Sequence, residues 1–226
     1  MRRRELLAAG AATVAAGLTA SWPARAGREQ QEIVDKARIT AESMLADANF
    51  PSLRQWVARA RGVLVVPSLV KAGFLIGAEG GSGVLLARKD GAWVGPAFYT
   101  LGAASFGLQA GVQDSEVMFV VMTDKGLRAM MSDEFKLGAD ASIAIGPVGA
   151  GVEGATTSAF NADIYSFARA KGLFGGFSFE GAVVKSRDSY NTAYYGAGAT
   201  ARGIVLEGRP TNAAADALRQ ALVVRQ

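Results

Sequence analysis

The chain has 226 residues with 24 Lys+Arg and 20 Asp+Glu, and it contains no histidine and no cysteine. Nucleophile systems that need an imidazole base or a thiolate, zinc sites made of these ligands, and disulfide bonds are therefore excluded. Half of the residues are hydrophobic, so a chain of this length can bury a core large enough to hold its fold.

The first 26 residues predict an export signal. Three arginines precede an Ala-rich apolar stretch at 6–20, and Ala24-Arg25-Ala26 supplies an Ala-x-Ala cleavage site. The stretch is shorter than the roughly 20 apolar residues of a membrane span. Arg3-Arg4 followed by x-Leu-Leu resembles a twin-arginine signal, with an ordinary Sec signal as the alternative. We therefore expect cleavage after Ala26, a mature domain at 27–226, and a location in the periplasm or on the membrane-associated envelope.

Removal of this segment changes the charge balance. The segment contains four arginines and one glutamate, so residues 27–226 carry 20 basic and 19 acidic groups, a formal charge of +1. Overall basicity is then no argument for a nucleic-acid partner, and we expect none. An anionic partner must instead meet a local basic patch.

Two helices are predicted at the start of the mature chain. Apolar residues recur at spacings of three and four over residues 29–48, which is typical of an amphipathic helix. A second helix is predicted to start at Pro51 and to stop at Gly62. It carries Arg54, Arg59 and Arg61 without an acid nearby in the sequence.

From Gly62 onward the hydrophobic period becomes that of strands. Turns are predicted at 79–83 and at Lys89-Asp90-Gly91. Pro96 indicates an edge or bulged strand, and residues 117–122, apolar on both faces, predict the most buried strand. The predicted strands cover residues 62–67, 71–77, 84–88, 93–101, 105–113 and 116–122.

The remaining chain mixes short helices with glycine-rich strands. Its predicted elements are a helix at 124–131, strand pairs at about 138–158 and 163–186, helical turns near 188–195, and a terminal helix at about 212–224. Short connections favour antiparallel pairing, and the glycines favour strong curvature. The predicted fold class is α+β, with a strongly curved, antiparallel, barrel-like sheet, two N-terminal helices and one C-terminal helix packed on it.

Three motifs suggest chemistry but lack its context. Residues 149–154 match G-x-G-x-x-G, yet Arg169 and Lys171 stand where a dinucleotide site needs an acid. Residues 196–201 match more weakly, and a curved strand is the better interpretation of both segments. Ser68 and Lys71 match S-x-x-K, but the S-D-N and K-T-G elements of penicillin-recognising enzymes are absent, and the motif falls between strands. A carboxylate pair for glycoside hydrolysis stays open, although the acids are scattered and no pair stands out.

Basic residues cluster beside aromatic or apolar ones in three places. Solvated surface charge is the alternative for each residue alone, and single tryptophans are typical of a core. Taken together, such clusters favour an interfacial binder of anionic head groups. The candidate lipid-binding residues are Arg54, Arg59 and Arg61 with Trp56; Arg88 and Lys89 with Trp93; Arg169 and Lys171; and Lys71.

Eight collinear stretches of the chain resemble the SYLF lipid-binding family, known from yeast actin-patch proteins, plant and animal phosphoinositide binders, and bacterial envelope proteins. Each stretch is weak alone, but in order they cover nearly all of the mature chain. They are ARGVLVVP (60–67), KAGFLIG (71–77), GGSGVLLAR (80–88), WVGPAFY (93–99), GLQAG (107–111), LGAD leading to GPVG (137–149), Tyr165 with KGLFGG (171–176), and YYG (194–196).

The resemblance implies a non-enzymatic lipid-binding module and singles out Lys71, Arg88 and Lys171 for testing. Val94 stands where the family often has serine. Residues 27–35 are net acidic, whereas eukaryotic relatives place a basic membrane helix before the domain. Phosphoinositide preference and actin binding are therefore not carried over, and an exported bacterial member is expected to meet phosphatidylglycerol, cardiolipin or lipid A.

The sequence thus supports three hypotheses. The first is an exported module that binds anionic phospholipid at a membrane surface, with no cofactor and no metal. The second is an interaction scaffold of the envelope whose basic residues meet an acidic protein partner. The third, a remote one, is a hydrolase that uses Ser68 and Lys71.

Overall fold

Two long strands dominate the fold. The computed structural model describes residues 23–132, 134–146, 161–171 and 179–224. Strands β1 (Gly62–Lys89) and β2 (Ala92–Val121) pair antiparallel from Gly62↔Val121 to Lys89↔Ala92. They form one two-stranded ribbon rather than the series of short strands that the sequence predicts.

The turn that joins β1 to β2 was predicted correctly. Asp90 and Gly91 have φ angles of 49° and 82°, as a two-residue hairpin turn with both central residues in the left-handed region requires. The turn predicted at 79–83 is wrong, because Glu79 and Gly81 lie within β1, opposite Ala103 and Leu101. Pro96 lies in β2 opposite Leu85–Ala87 of β1, where the register of the two strands shifts. This shift confirms a bulged strand.

The ribbon coils so that the two halves of β1 pack against each other. A Cβ atom at Gly81 would lie 2.4 Å from the Ser68 carbonyl oxygen, and one at Gly83 would lie 2.8 Å from that of Val65. Only glycine allows backbones to approach this closely. The Arg88 N–H also donates to the Arg61 carbonyl at 2.8 Å. Residues predicted as a turn are therefore the contact point that curls the sheet.

Four shorter strands complete the sheet of the described residues. β5 (Ile164–Lys171) pairs antiparallel with the last residues of β2, and β6 (Val183–Ser186) pairs with Tyr99–Gly102. β3 (Phe135–Lys136) extends the sheet beyond β6. β4 (Ile143–Ile145) runs parallel to β5, an exception to the antiparallel prediction. Parts of the strand pairs predicted at 138–158 and 163–186 lie outside the described residues.

The helices confirm the predicted α+β class with corrected ends. The first helix begins at Pro23 and ends at Leu45, so the predicted cleavage point after Ala26 lies near its start. The predicted terminal helix divides into a 3₁₀ turn and a short α-helix. The helices are α1 (Pro23–Leu45), α2 (Leu53–Arg59), α3 (Asp124–Ala129), α4 (Asp188–Tyr195), a π-helix (Gly203–Glu207), a 3₁₀ turn (Ala213–Ala215) and α5 (Asp216–Ala221).

The core lies on both faces of the sheet. One cluster packs α1, α2 and α5 on alternate strand residues such as Met118 and Val120, and the other takes Val117, Phe119 and Val121. All five of these β2 residues are fully buried, as predicted for this strand, and Met122 after them is half-buried. Among the described residues, no helix is both long and apolar enough to cross a membrane.

A cationic aromatic cavity beside helix α2

Helix α2 leaves two arginines in solvent. Leu53 and Val57 are fully buried against the core and anchor one side of this short helix. Arg54 and Arg59 are exposed, and neither has an ion pair with any residue that the structure describes. The helix therefore presents positive charge that no acid of the described chain neutralises.

Arg59 is held over an aromatic pair. Its guanidinium carbon lies 5.3 Å from the centre of the Trp56 ring, within the range of a cation–π contact. Trp56 in turn packs on Tyr165 of β5, with ring centres 4.2 Å apart. Trp56 is only partly buried, whereas Tyr165 is 3% exposed. The sheet thus fixes the tryptophan, and the tryptophan positions the arginine.

A cavity of about 480 Å³ opens beside this stack, within the usual size range of small-ligand sites. Its walls combine aromatic and aliphatic surface with a few polar groups at the rim. They are formed by Trp56, Arg59, Met122, Thr123, Asn161, Ala162 and Tyr165.

Two of the polar groups have unused hydrogen-bonding capacity. The Tyr165 hydroxyl accepts a bond from the Ala162 N–H at 3.3 Å, and among the described residues no acceptor takes its proton. Burial raises the pKa of this hydroxyl, so it remains a donor at neutral pH. Asn161 is exposed, and its amide has no partner within the described part of the chain.

A carboxylate beside the cavity wall, that of Asp163, is already neutralised. Asp163 accepts bonds from the Thr123 hydroxyl at 2.6 Å, from Lys125 at 3.1 Å, and from the N–H and hydroxyl of Ser142 at 3.0 Å each. Burial alone would raise the pKa of Asp163, but these hydrogen bonds outweigh it and lower the pKa to about 2. Asp163 therefore fixes Thr123 in the cavity wall without adding unbalanced negative charge.

The tertiary fold supplies Arg61 with an acid that the sequence does not place nearby. Its guanidinium lies 3.4 Å from Asp124 at the start of α3, and both side chains are 58% exposed. Such a surface pair contributes about 0–1 kcal/mol. Arg61 remains in solvent, but its charge is partly balanced.

Arg88 and Trp93 form a structural pair. Trp93 is 6% exposed and donates its indole N–H to the Leu222 carbonyl at 2.9 Å, so it belongs to the core and does not project into solvent. Arg88 lies 4.5 Å from the centre of the Trp93 ring and donates to the carbonyls of Val57 and Ala60 at the end of α2. The neighbouring Lys89 is exposed and donates to the Glu207 carbonyl.

Arg169 does not offer a free charge, contrary to the expectation from sequence. Its guanidinium donates to Glu116 of β2 at 2.9 Å, to Asp47 at 3.0 Å and to the Ser43 hydroxyl at 2.6 Å. Thr40 of α1 donates to the other oxygen of Glu116 at 3.1 Å. Together these contacts, which we call the α1 clamp, join α1 and the chain just after it to β2 and β5.

The two other lysines expected at the site lie elsewhere on the sheet. Lys71 is exposed in β1. Burial raises the pKa of Glu79, and the positive charge of Lys71 opposes this rise. Lys171 ends β5, and its side chain is outside the described part.

The sequence motifs do not form a second site. Ser68 lies inside β1, whereas penicillin-recognising enzymes place this serine at the start of a helix. Its hydroxyl donates to Asp114 at 2.8 Å. Residues 149–154 are outside the described range. Gly196 ends α4, and the residues after it lead into a helix, so the interpretation of 196–201 as a curved strand is wrong.

Sequence reasoning missed most of the cavity. Tyr165 was noted only as part of the family pattern, and Met122, Thr123, Asn161 and Ala162 were not singled out. Met122 and Thr123 follow the end of β2, and Asn161 and Ala162 precede the start of β5, about forty positions away along the chain. Pairing of the two strands brings them together. An aromatic residue in a strand signals a core position as readily as a site.

Comparison with known proteins identifies the family. Residues 102–224, just over half of the chain, match the family described as "Ysc84: Las17-binding protein actin regulator". SH3 domain-containing YSC84-like protein 1 of Rattus norvegicus is 32% identical over 168 residues, which cover 74% of this chain and 49% of that protein. LAS seventeen-binding protein 3 of Saccharomyces cerevisiae is 32% identical over 155 residues, which cover 67% of this chain and 33% of that protein.

The structure is a curled α+β domain in which helix α2 exposes two arginines beside a cavity. The chain belongs to the Ysc84 family, as the SYLF resemblance of its sequence predicts. The family and its matched members are described as binding or regulatory proteins. The chain spans about half or less of the length of these relatives.

Proposed function

We propose that this domain binds anionic phospholipid at a membrane surface of the bacterial envelope. The observation that carries the proposal is Arg59, an exposed cation without an acid partner in the described chain, seated on the half-buried Trp56. An arginine over an indole pairs a charge for phosphate with a ring that suits the boundary between head groups and acyl chains. Arg54 adds a second unpaired charge on the same helix.

The other basic residues take graded parts in this proposal. Lys71 and Lys89 are further exposed cations on β1, whereas Arg61 is partly balanced by Asp124. Arg88 supports α2 by donating to the Val57 carbonyl of that helix, and Arg169 holds α1 in place. We therefore assign the lipid contact chiefly to Arg54 and Arg59.

Vesicle co-sedimentation tests the proposal. The full chain is mixed with vesicles of phosphatidylcholine alone or with added phosphatidylglycerol, at low and high salt. Binding is expected only to the anionic vesicles and is expected to fall with salt, because the Debye length shrinks to about 8 Å at physiological ionic strength. Equal binding to neutral and anionic vesicles, or no salt dependence, would contradict it.

Matched variants separate the proposed face from overall charge. Arg54→Gln and Arg59→Gln are each expected to weaken binding about fivefold, since one cation near an anionic surface contributes about 1 kcal/mol. Lys185→Gln removes one positive charge from an exposed position on β6 and is expected to change vesicle binding less than twofold. Equal losses in all three variants would show that the effect is one of net charge and would sink the assignment to α2.

Export is part of the same proposal. A twin-arginine-like signal at residues 1–26 is proposed to deliver the domain to the envelope, with cleavage after Ala26. Intact-mass measurement of the protein recovered from a bacterial periplasmic fraction tests this. A chain that retains residues 1–26 and stays in the cytoplasm would refute it.

A protein partner is the second candidate function, because the matching family is described as Las17-binding and actin-regulating. In this case Arg54 and Arg59 would meet an acidic surface on an envelope protein. Capture from a detergent-solubilised envelope extract should then survive removal of lipid and should weaken in Arg54→Gln and Arg59→Gln. Capture that disappears with the lipid would favour the membrane proposal.

A further inference from the structure

We propose that the cavity beside Arg59 binds one phosphate ester that carries a short apolar body. This inference rests on the proposed function only in that both use Arg59. It adds a defined, stoichiometric site to what would otherwise be diffuse attraction to a charged surface.

The charge at the cavity favours an anion. Arg59 is the cation at its rim without an acid partner in the described chain. Asp163, next to Ala162 of the cavity wall, accepts four hydrogen bonds, one of them from Lys125 at 3.1 Å. Asp124 is paired with Arg61. Among the cavity-lining residues that the structure describes, Arg59 is the one that carries a charge, which favours an anionic ligand.

The hydrogen-bond donors that line the cavity suit a phosphate group better than a ligand with a single acceptor atom. The Arg59 guanidinium, the Asn161 amide and the Tyr165 hydroxyl all line the same cavity. Each has a hydrogen atom to donate that no described residue accepts. A phosphate ester presents several oxygens in different directions and can use all three donors at once.

The walls suit an apolar body attached to that phosphate. Trp56, Met122 and Ala162 supply aromatic, thioether and methyl surface to the same cavity. Met122 and Trp56 are only partly buried and pack on the helix-side core cluster. A ligand that covers them removes apolar surface from water, which inorganic phosphate cannot do.

Intrinsic fluorescence provides a direct test, because Trp56 lies in the cavity wall. The full chain with Trp22→Phe keeps Trp56 and the buried Trp93 as its two emitters. It is titrated with hexyl phosphate, dihexanoyl phosphatidic acid below its micelle concentration, inorganic phosphate, and hexanol. Hexyl phosphate and the short-chain lipid are expected to shift Trp56 emission and to saturate at one molecule per chain.

The controls separate a site from general affinity. Inorganic phosphate and hexanol are each expected to bind at least tenfold more weakly than hexyl phosphate. Saturation with the lipid but not with hexyl phosphate would assign the site to a lipid head group, and saturation with both would assign it to phosphate esters in general. Binding of inorganic phosphate as tight as that of hexyl phosphate, or no saturable shift with either ester, would overturn the proposal.

Two arginine variants distinguish this site from membrane adsorption. Arg59→Gln is expected to weaken hexyl phosphate binding about tenfold or more, because it removes a charge-assisted hydrogen bond, while Arg54→Gln leaves it unchanged. Both variants keep the fold if their circular dichroism and melting temperature match the parent. Vesicle binding without saturable binding of either ester would overturn the cavity site alone, and the reverse would overturn the membrane proposal alone.

Discussion

Arg169→Met tests whether Arg169 is a structural residue or a lipid ligand. Arg169 is the centre of the α1 clamp, with bonds to Glu116, Asp47 and Ser43. Methionine keeps an unbranched apolar stem but removes the charge and every donor. We expect the variant to lose stability while its affinity for anionic vesicles stays within twofold of the parent.

The size of the loss follows from the surroundings of the two carboxylates. The side chains of Glu116 and Asp47 are 11% and 12% exposed, and removing the cation from such a buried pair costs about 3–5 kcal/mol. Glu116 keeps its bond from Thr40, and Asp47 keeps one from the Asn49 N–H at 2.9 Å. Because Arg169 itself is 30% exposed, water reaches the site, and we expect the lower end, about 3 kcal/mol.

Urea unfolding at pH 7, followed by tryptophan fluorescence, measures this loss. The double variant Arg169→Met with Glu116→Gln should regain about 1 kcal/mol, since the stranded charge on Glu116 is then removed. Arg54→Met is the matched control, because Arg54 is exposed and without an ion pair in the described chain.

Two outcomes would refute this reasoning. A loss of stability below about 1 kcal/mol would mean that the clamp contributes no more than an ordinary surface pair. Unchanged stability together with a clear loss of vesicle affinity would return Arg169 to the lipid-binding surface.

Three further predictions concern the fold. Gly81→Ala should lower the free energy of unfolding by about 2 kcal/mol or more, because its Cβ would lie 2.4 Å from the Ser68 carbonyl oxygen. Gly80→Ala is the control, since its Cβ would lie 3.8 Å from the nearest atom, and thermal unfolding should show little loss of stability. Asp163→Asn should cost about 2 kcal/mol at pH 7. The folded pKa of about 2 lies below the unfolded value, so this stabilisation fades as pH falls from about 4 towards 2; a pH-independent cost would contradict it. Trp93→Phe should lose about 1–2 kcal/mol and speed hydrogen exchange in α5, because its bond to Leu222 disappears; unchanged exchange would count against that role.

Local patterns predicted the elements that local physics determines. Asp90-Gly91 indicated the hairpin turn because its two residues adopt positive φ at low cost. The continuous apolar run at 117–122 indicated a strand buried on both faces; its first five residues are fully buried, and Met122 is half-buried. The three- and four-residue spacing near the N-terminus indicated α1, although its ends differ by several residues.

The same patterns failed where two distant segments meet. The glycines at 80–83 are typical of a turn, but in the fold they allow one half of β1 to lie against the other. Arg169 and Trp93 are candidate lipid-binding residues in the sequence, yet one meets Glu116 and Asp47 and the other meets Leu222. No local spacing encodes these partners, because each lies tens of positions away along the chain.

The sequence by itself determined the fold class, the family and the chemistry that is absent, because composition, hydrophobic period and collinear motifs are properties of the chain alone. It also showed that positive charge is local once residues 1–26 are set apart. Only the tertiary structure decided which cations are free. An arginine is neutralised or available according to the acids that folding brings within about 4 Å of it, so Arg169 became part of the α1 clamp while Arg59 remained at the rim of the cavity.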